Sequence, residues 1–176
     1  PISENFDPAT QKNVKWVAKL GSQSYGNPTI ANGRVYIGTN NDSPRDKRHL
    51  GDRSILLCLD EKTGEMHWQL VVPKLKSGKV NDWESLGLLS SPTIEGDRVY
   101  VVTSRCEVLC LSVDGMAKGN QGPYKDEAKY AVLDIVGPDG KPAAPIPPGP
   151  KDADILWRYD MMDDLGVFPH NASNCS

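Results

Sequence analysis

The sequence predicts an all-β chain, a β-propeller built of four-stranded antiparallel blades, and three observations carry that prediction. NPTIANGRVYIGT at 27–39 returns as SPTIEGDRVYVVT at 91–103 with seven identical positions: Pro28 and Pro92, Thr29 and Thr93, Ile30 and Ile94, Arg34 and Arg98, Val35 and Val99, Tyr36 and Tyr100, Thr39 and Thr103. LCL at 57–59 returns at 109–111. Apolar residues gather around a tryptophan three times, in VKWVAKL at 14–20, MHWQLVV at 66–72 and ILWRYDM at 155–161.

Taken in order, VKWVAKL reads as the last strand of one blade. PTI opens the next blade, and NG at 32–33 supplies a tight turn, because both residue types accept a positive φ. RVYI alternates with period two, as a half-buried strand does. A charged loop follows near 40–53, then the strand ILLCLD, in which Leu57 and Leu59 point to one side and Cys58 to the other. DEKTG at 60–64 is read as turn chemistry: Asp60 accepts backbone N–H bonds, Gly64 takes the unusual dihedral, and Trp68 then returns its ring against the edge of the repeat. The second unit repeats the order, with GD at 96–97 as its first turn, EVLCLS as its third strand and ILWRYD as its fourth.

Trp16 and Trp68 are 52 residues apart, the span of one blade, whereas Trp68 and Trp157 are 89 apart because segments have been added. Those insertions fall near 73–88 and 112–153, and the latter ends in GPDGKPAAPIPPGP, which favours extended polyproline geometry. The longer one is expected to be a solvated excursion on the surface, with a partner contact as the alternative. Residues 1–176 thus make about two blades plus flanking strands. Propellers close with about four or more blades, so the expectation is a fragment or processed chain whose remaining blades come from the same or another chain.

Composition narrows the function. Twenty Lys and Arg against twenty-three Asp and Glu give a net charge of −3 with no basic stripe, which argues against a nucleic-acid partner. No stretch approaches the roughly 18–20 apolar residues of a transmembrane helix. Cys58, Cys106, Cys110 and Cys175 form neither CxxC nor CxxCH, so they read as buried thiols, and any disulfide pairing stays open.

Candidate polar sites are few. NNDSPRDKRHLGDRS at 40–54 offers Arg45, Arg48 and His49, and either a solvated surface or a binding face accounts for its mixed charges. WES at 83–85 admits the same two readings. His170 stands five residues before Cys175 with no orienting acid, and two candidate ligands do not make a tetrahedral metal set, so a loop entering the next blade is the simpler reading. Asn171 and Asn174 each begin a glycosylation triplet, which matters only in a eukaryotic secretory setting.

LCLDEKTGEMHW at 57–68 resembles the blade motif of the pyrroloquinoline-quinone-like (PQQ-like) propeller repeats, and SPTIEGDRVYV at 91–101 and NPTIANGRVYI at 27–37 resemble the opening of such repeats. The resemblance implies a structural role in blade docking for Asp60, Thr63, Gly64 and Trp68. The family includes quinone-dependent alcohol and sugar dehydrogenases, which hold PQQ and calcium near the propeller axis and often carry a disulfide between neighbouring cysteines. It also includes an outer-membrane assembly lipoprotein that scaffolds protein contacts. This sequence has no adjacent cysteine pair and no assignable calcium set, so the expected function is a noncatalytic scaffold or interaction module, periplasmic or otherwise exported, with a protein partner. The alternative is a portion of a PQQ- and calcium-dependent dehydrogenase.

Overall fold

The structure is a computed structural model that describes residues 4–78, 82–167 and 169. Among these residues, eight strands form two sheets. β1 (Thr29–Ala31), β2 (Arg34–Asn40), β3 (Arg53–Asp60) and β4 (Met66–Pro73) make the first, in the order β1-β2-β3-β4. β5 (Thr93–Glu95), β6 (Arg98–Val102), β7 (Glu107–Ser112) and β8 (Ile155–Asp160) make the second, in the order β5-β6-β7-β8. Every pairing is antiparallel, so each sheet is a plain meander, the form of a propeller blade.

The repeat seen in the letters is a repeat of register. Tyr36 lies opposite Cys58, which lies opposite Trp68; in the second blade Tyr100, Cys110 and Trp157 form the same row. The register shifts at Cys58/Leu59 and again at Cys110/Leu111, one bulge per blade at the same place. The tight turn of the first blade places Asn32 at φ 53° and Gly33 at φ 75°, the pair of positive values that a two-residue hairpin turn of the I′ type requires.

Alternation along β3 divides two clusters. Ile55, Leu57 and Leu59 join Val35, Ile37 and Val71 on one face of the first blade. Leu56 and Cys58 join Tyr36, Trp68, Leu70 and Val72 on the other, where they meet Val99, Val101, Leu109 and Leu111 of the second blade. That second cluster is the interface between the blades, and each fully buried Leu, Val or Ile in it contributes about 1.5–3 kcal/mol relative to exposure.

Two sequence expectations need correction. VKWVAKL forms no strand; it runs extended with Trp16, Ala18 and Leu20 packed on the outer face of the first blade, because no strand among the described residues lies beside it to share a ladder. Trp68 packs against Tyr36 of its own repeat and also reaches the following blade. The long insertion is only partly solvated: it carries a 3-10 turn at Gly115–Lys118 and the short helix α1 (Glu127–Tyr130), from which Tyr130 enters the core. At its end, Gln69 N–H donates to Lys151 O (3.0 Å) and Ala153 N–H to Gln69 O (2.8 Å), so the insertion covers the free edge of β4 before the chain enters β8. A second short helix, α2 (Met161–Leu165), follows β8, and the Asp160 carboxylate accepts from the Met162 and Asp163 N–H groups to cap it.

Candidate functional site

The turn after β3 is the part that the blades exchange. Asp60 Oδ1 accepts from the backbone N–H groups of Lys62 and Thr63 (both 2.8 Å), and those bonds, Thr63 first, hold its carboxyl below the usual carboxylate range. Gly64 has φ 75°. A Cβ there would stand 2.6 Å from the Trp16 ring, so the indole lies flat on the glycine, while Trp16 Nε1–H donates to Glu61 O (2.9 Å).

The same handover occurs one blade on. Trp68 is fully buried, its Nε1–H donates to Val113 O (2.8 Å), and a Cβ on Gly115 (φ 55°) would stand 2.7 Å from its ring. Glu61 and Val113 occupy one position in the two repeats, since each follows the residue paired with the arginine that opens the second strand: Arg34 with Asp60, Arg98 with Ser112. Arg34 adds an ion pair across the interface, Nη2 to Asp114 Oδ1 at 2.9 Å. Tyr36 completes the set, its ring tilted 56° to Trp68 with centroids 6.0 Å apart.

On the second blade the equivalent residues face outward. Trp157 is 39% exposed and Tyr159 is 38% exposed. Tyr100 meets Trp157 with rings tilted by 47° and centroids 6.1 Å apart, as Tyr36 meets Trp68, yet nothing among the described residues buries the pair. Arg98, the counterpart of Arg34, is likewise exposed; it touches Cys110 of its own blade and stands 3.7 Å from the neighbouring Asp97. Asp97, Arg98, Asp114, Lys118 and Trp157 line a surface recess at this face. Sequence reasoning did not single out Tyr100, Trp157 and Tyr159 as a face; the identity of Tyr36 and Tyr100 in the repeat was the available signal.

The polar loop between β2 and β3 brings other candidates together. Arg48 donates to Asp46 Oδ2 (2.5 Å), to Asp152 Oδ2 (3.0 Å) and to Pro147 O (2.7 Å), which ties the loop to the proline-rich insertion. That bonding to Arg48 is also the main reason the Asp46 carboxyl sits below its usual range. Arg45 turns away and donates to Lys19 O. His49 departs from the solvated reading, being 4% exposed, and burial pushes its imidazole below the ordinary histidine value. It lines a cleft with Gln69, Glu127, Tyr130, Ile146 and Asp152. His170 lies outside the described residues.

Beneath α1, Glu107 is fully buried and bonds Tyr130 OH (2.9 Å), Arg158 (2.7 Å) and Thr103 Oγ1 (3.1 Å), with Arg105 at 3.4 Å; Arg105 in turn reaches Asp134 at 2.8 Å. This network anchors the insertion to β7 and β8. Cys58, Cys106 and Cys110 are buried free thiols; burial raises all three, Cys58 to about 12, so none is prepared as a thiolate nucleophile at neutral pH.

Two four-stranded blades, with Trp16 seated on the turn of the first and Trp68 of β4 seated on the turn of the second, fit a PQQ-like propeller repeat. The family model described as outer membrane protein assembly factor BamB matches residues 6–117. That span exceeds half of the 176 residues, and the chain belongs to this family of repeats. No curated protein matches it. No helix among the described residues is long and apolar enough to cross a membrane.

Proposed function

We propose that this chain supplies blades to a noncatalytic propeller scaffold outside the cytoplasm, and that the open face of its second blade takes a further blade from the same or another chain. The observation that carries the reading is the contrast between Trp68, fully buried, and Trp157, 39% exposed at the same position of the repeat. The first interface specifies what fits the second: a turn whose backbone carbonyl accepts from Trp157 Nε1–H, a glycine beneath the indole, and an acid for Arg98 in the place Asp114 holds for Arg34. An exported location agrees with the outer-membrane assembly factor that gives the matching family its description. A noncatalytic role agrees with thiols that burial keeps protonated and with charged groups that are spent on one another, as Glu107 is on Arg105 and Arg158.

The test places a photo-crosslinking amino acid at Tyr159 in the protein as its source makes it and maps the product by mass spectrometry. The expected crosslink lies in a segment that carries an apolar strand, a turn and a glycine. A crosslink to unrelated sequence, or none, contradicts the docking reading. In parallel, the protein is supplied with PQQ and calcium and assayed for dye-linked oxidation of alcohols and sugars. Saturable turnover would replace the scaffold reading with the dehydrogenase one.

A further inference from the structure

Three side chains from distant parts of the chain converge beside the first blade. Asp46 and His49 lie in the loop before β3, and Asp152 lies at the end of the proline-rich insertion. Their two carboxylate oxygens and one imidazole nitrogen are all within 4.8 Å of one another.

His49 makes this more than a pair of acids near an arginine. Its side chain is nine-tenths buried or better, its Nδ1 is buried with no hydrogen-bond partner, and its Nε2 faces Asp46 Oδ2 at 4.0 Å, beyond hydrogen-bond reach. A buried imidazole with neither ring nitrogen hydrogen-bonded is a cost that a fold normally avoids, and an ion bound at Nε2, the nitrogen that faces Asp46, relieves part of it. The other polar contacts of the cluster are those of Arg48 with Asp46 and Asp152, the Arg48 N–H to Asp46 Oδ1 (2.9 Å), and the Gly149 N–H to Asp152 Oδ2 (2.7 Å).

We propose that Asp46, His49 and Asp152 bind a divalent transition-metal ion of the zinc class, which clamps the loop before β3 to the proline-rich insertion. Two carboxylates and one imidazole are a donor set for such an ion, whereas calcium and magnesium take oxygen ligands alone. Ligand bonds of about 2.0–2.2 Å put donor atoms roughly 3.4 Å apart in a tetrahedral shell, so binding draws together a set that now lies within 4.8 Å. Arg48 supplies the positive charge between the carboxylates when the ion is absent. Its side chain is 44% exposed, and its Nη1 bond to Pro147 O is separate from its bonds to the two carboxylates.

The experiment titrates the full chain, stripped with chelator, with Zn²⁺ by calorimetry, counts bound ions by native mass spectrometry, and repeats the titration with Mg²⁺. One Zn²⁺ per chain is expected, bound far more tightly than Mg²⁺. Asp46→Asn and Asp152→Asn keep the side-chain shape and are each expected to weaken binding by at least about 100-fold, the upper end of what outer-shell changes achieve. Arg48→Ala leaves all three ligands in place and is expected to tighten binding. His67 stands beside Asp60 at 3.5 Å on the surface, so His67→Gln is the control and is expected to change nothing. Absence of binding in both the parent chain and Arg48→Ala overturns the proposal. So does equal affinity for Mg²⁺, and so does binding that survives both Asp variants and disappears with His67→Gln.

Discussion

Trp68→Ala and Trp157→Ala remove the same side chain from the same position of the repeat, and the blades assign them different consequences. At Trp68 the loss includes a fully buried ring, its bond to Val113 O and its contact with Tyr36, and it opens a cavity over Gly115. Buried Trp→Ala changes of this kind cost about 3–5 kcal/mol. At Trp157 the ring is 39% exposed and its aromatic neighbour is Tyr100 across two strands, so about 1 kcal/mol is at stake. With a urea slope of about 2 kcal/mol per molar, the two variants shift the unfolding midpoint by roughly 1.5–2.5 M and 0.5 M. Trp68→Phe keeps most of the bulk but leaves the Val113 carbonyl unpaired, and falls between them at about 1–3 kcal/mol. The assay is urea denaturation of the chain followed by far-UV circular dichroism. Equal midpoints for the two alanine variants would refute the reasoning, because they would mean that Trp68 is not held between blades.

Three further outcomes follow from the same geometry. Gly64→Ala and Gly33→Ala both force a side chain onto φ 75°, a strain of about 1–2 kcal/mol, but only at Gly64 does the new Cβ meet a ring, Trp16 at 2.6 Å; thermal unfolding is expected to rank Gly64→Ala as clearly the worse. Glu107→Ala leaves Arg105 and Arg158 without their buried partner and is expected to cost about 3–5 kcal/mol in chemical denaturation, whereas Tyr130→Phe, which removes one hydrogen bond, costs about 1 kcal/mol. His49 resists protonation in the fold because of its burial, with Asp46 and Asp152 opposing that effect and Arg48 and Arg53 adding to it. The unfolded chain therefore takes up a proton that the fold refuses as pH drops below about 6.5, so stability is full above that value and declines below it. In chelator, His49→Gln is expected to flatten the fall in midpoint between about pH 6.5 and 5, and an unchanged slope contradicts the assignment.

Much of the fold was legible because the repeat is written in residues that decide local geometry. Asn32 and Gly33 announce a turn, the alternation of Leu57, Cys58 and Leu59 announces two packed faces, and LCLDEKTGEMHW announces the strand, turn and strand that the structure contains. What was not legible depends on long-range contact. Nothing in VKWVAKL tells whether a neighbouring strand exists to pair with it, and its alternation serves equally well for packing on a face. The destination of Trp68 lies 45 residues away at Val113, beyond any local pattern. The polar cluster was half visible: Arg48 and His49 stood out in their loop, but Asp152 sits about a hundred residues on, in a segment that composition marked as solvated. Tyr130 was missed because a short helix inside an insertion gives no periodic signal, and Glu107, the first residue of β7, because its partners Tyr130 and Arg158 lie 23 and 51 residues away.

The central claim is that each tryptophan of the repeat is buried by the next blade. Oxidative footprinting of the tryptophans, read by mass spectrometry, tests it in the 176-residue chain alone and in the protein isolated from its source. The account predicts that Trp68 is protected in both, and that Trp157 is oxidised in the chain alone but protected in the isolated protein. Oxidation of Trp68 at the rate of Trp157 in the chain alone, or of Trp157 at one rate in both samples, would contradict it.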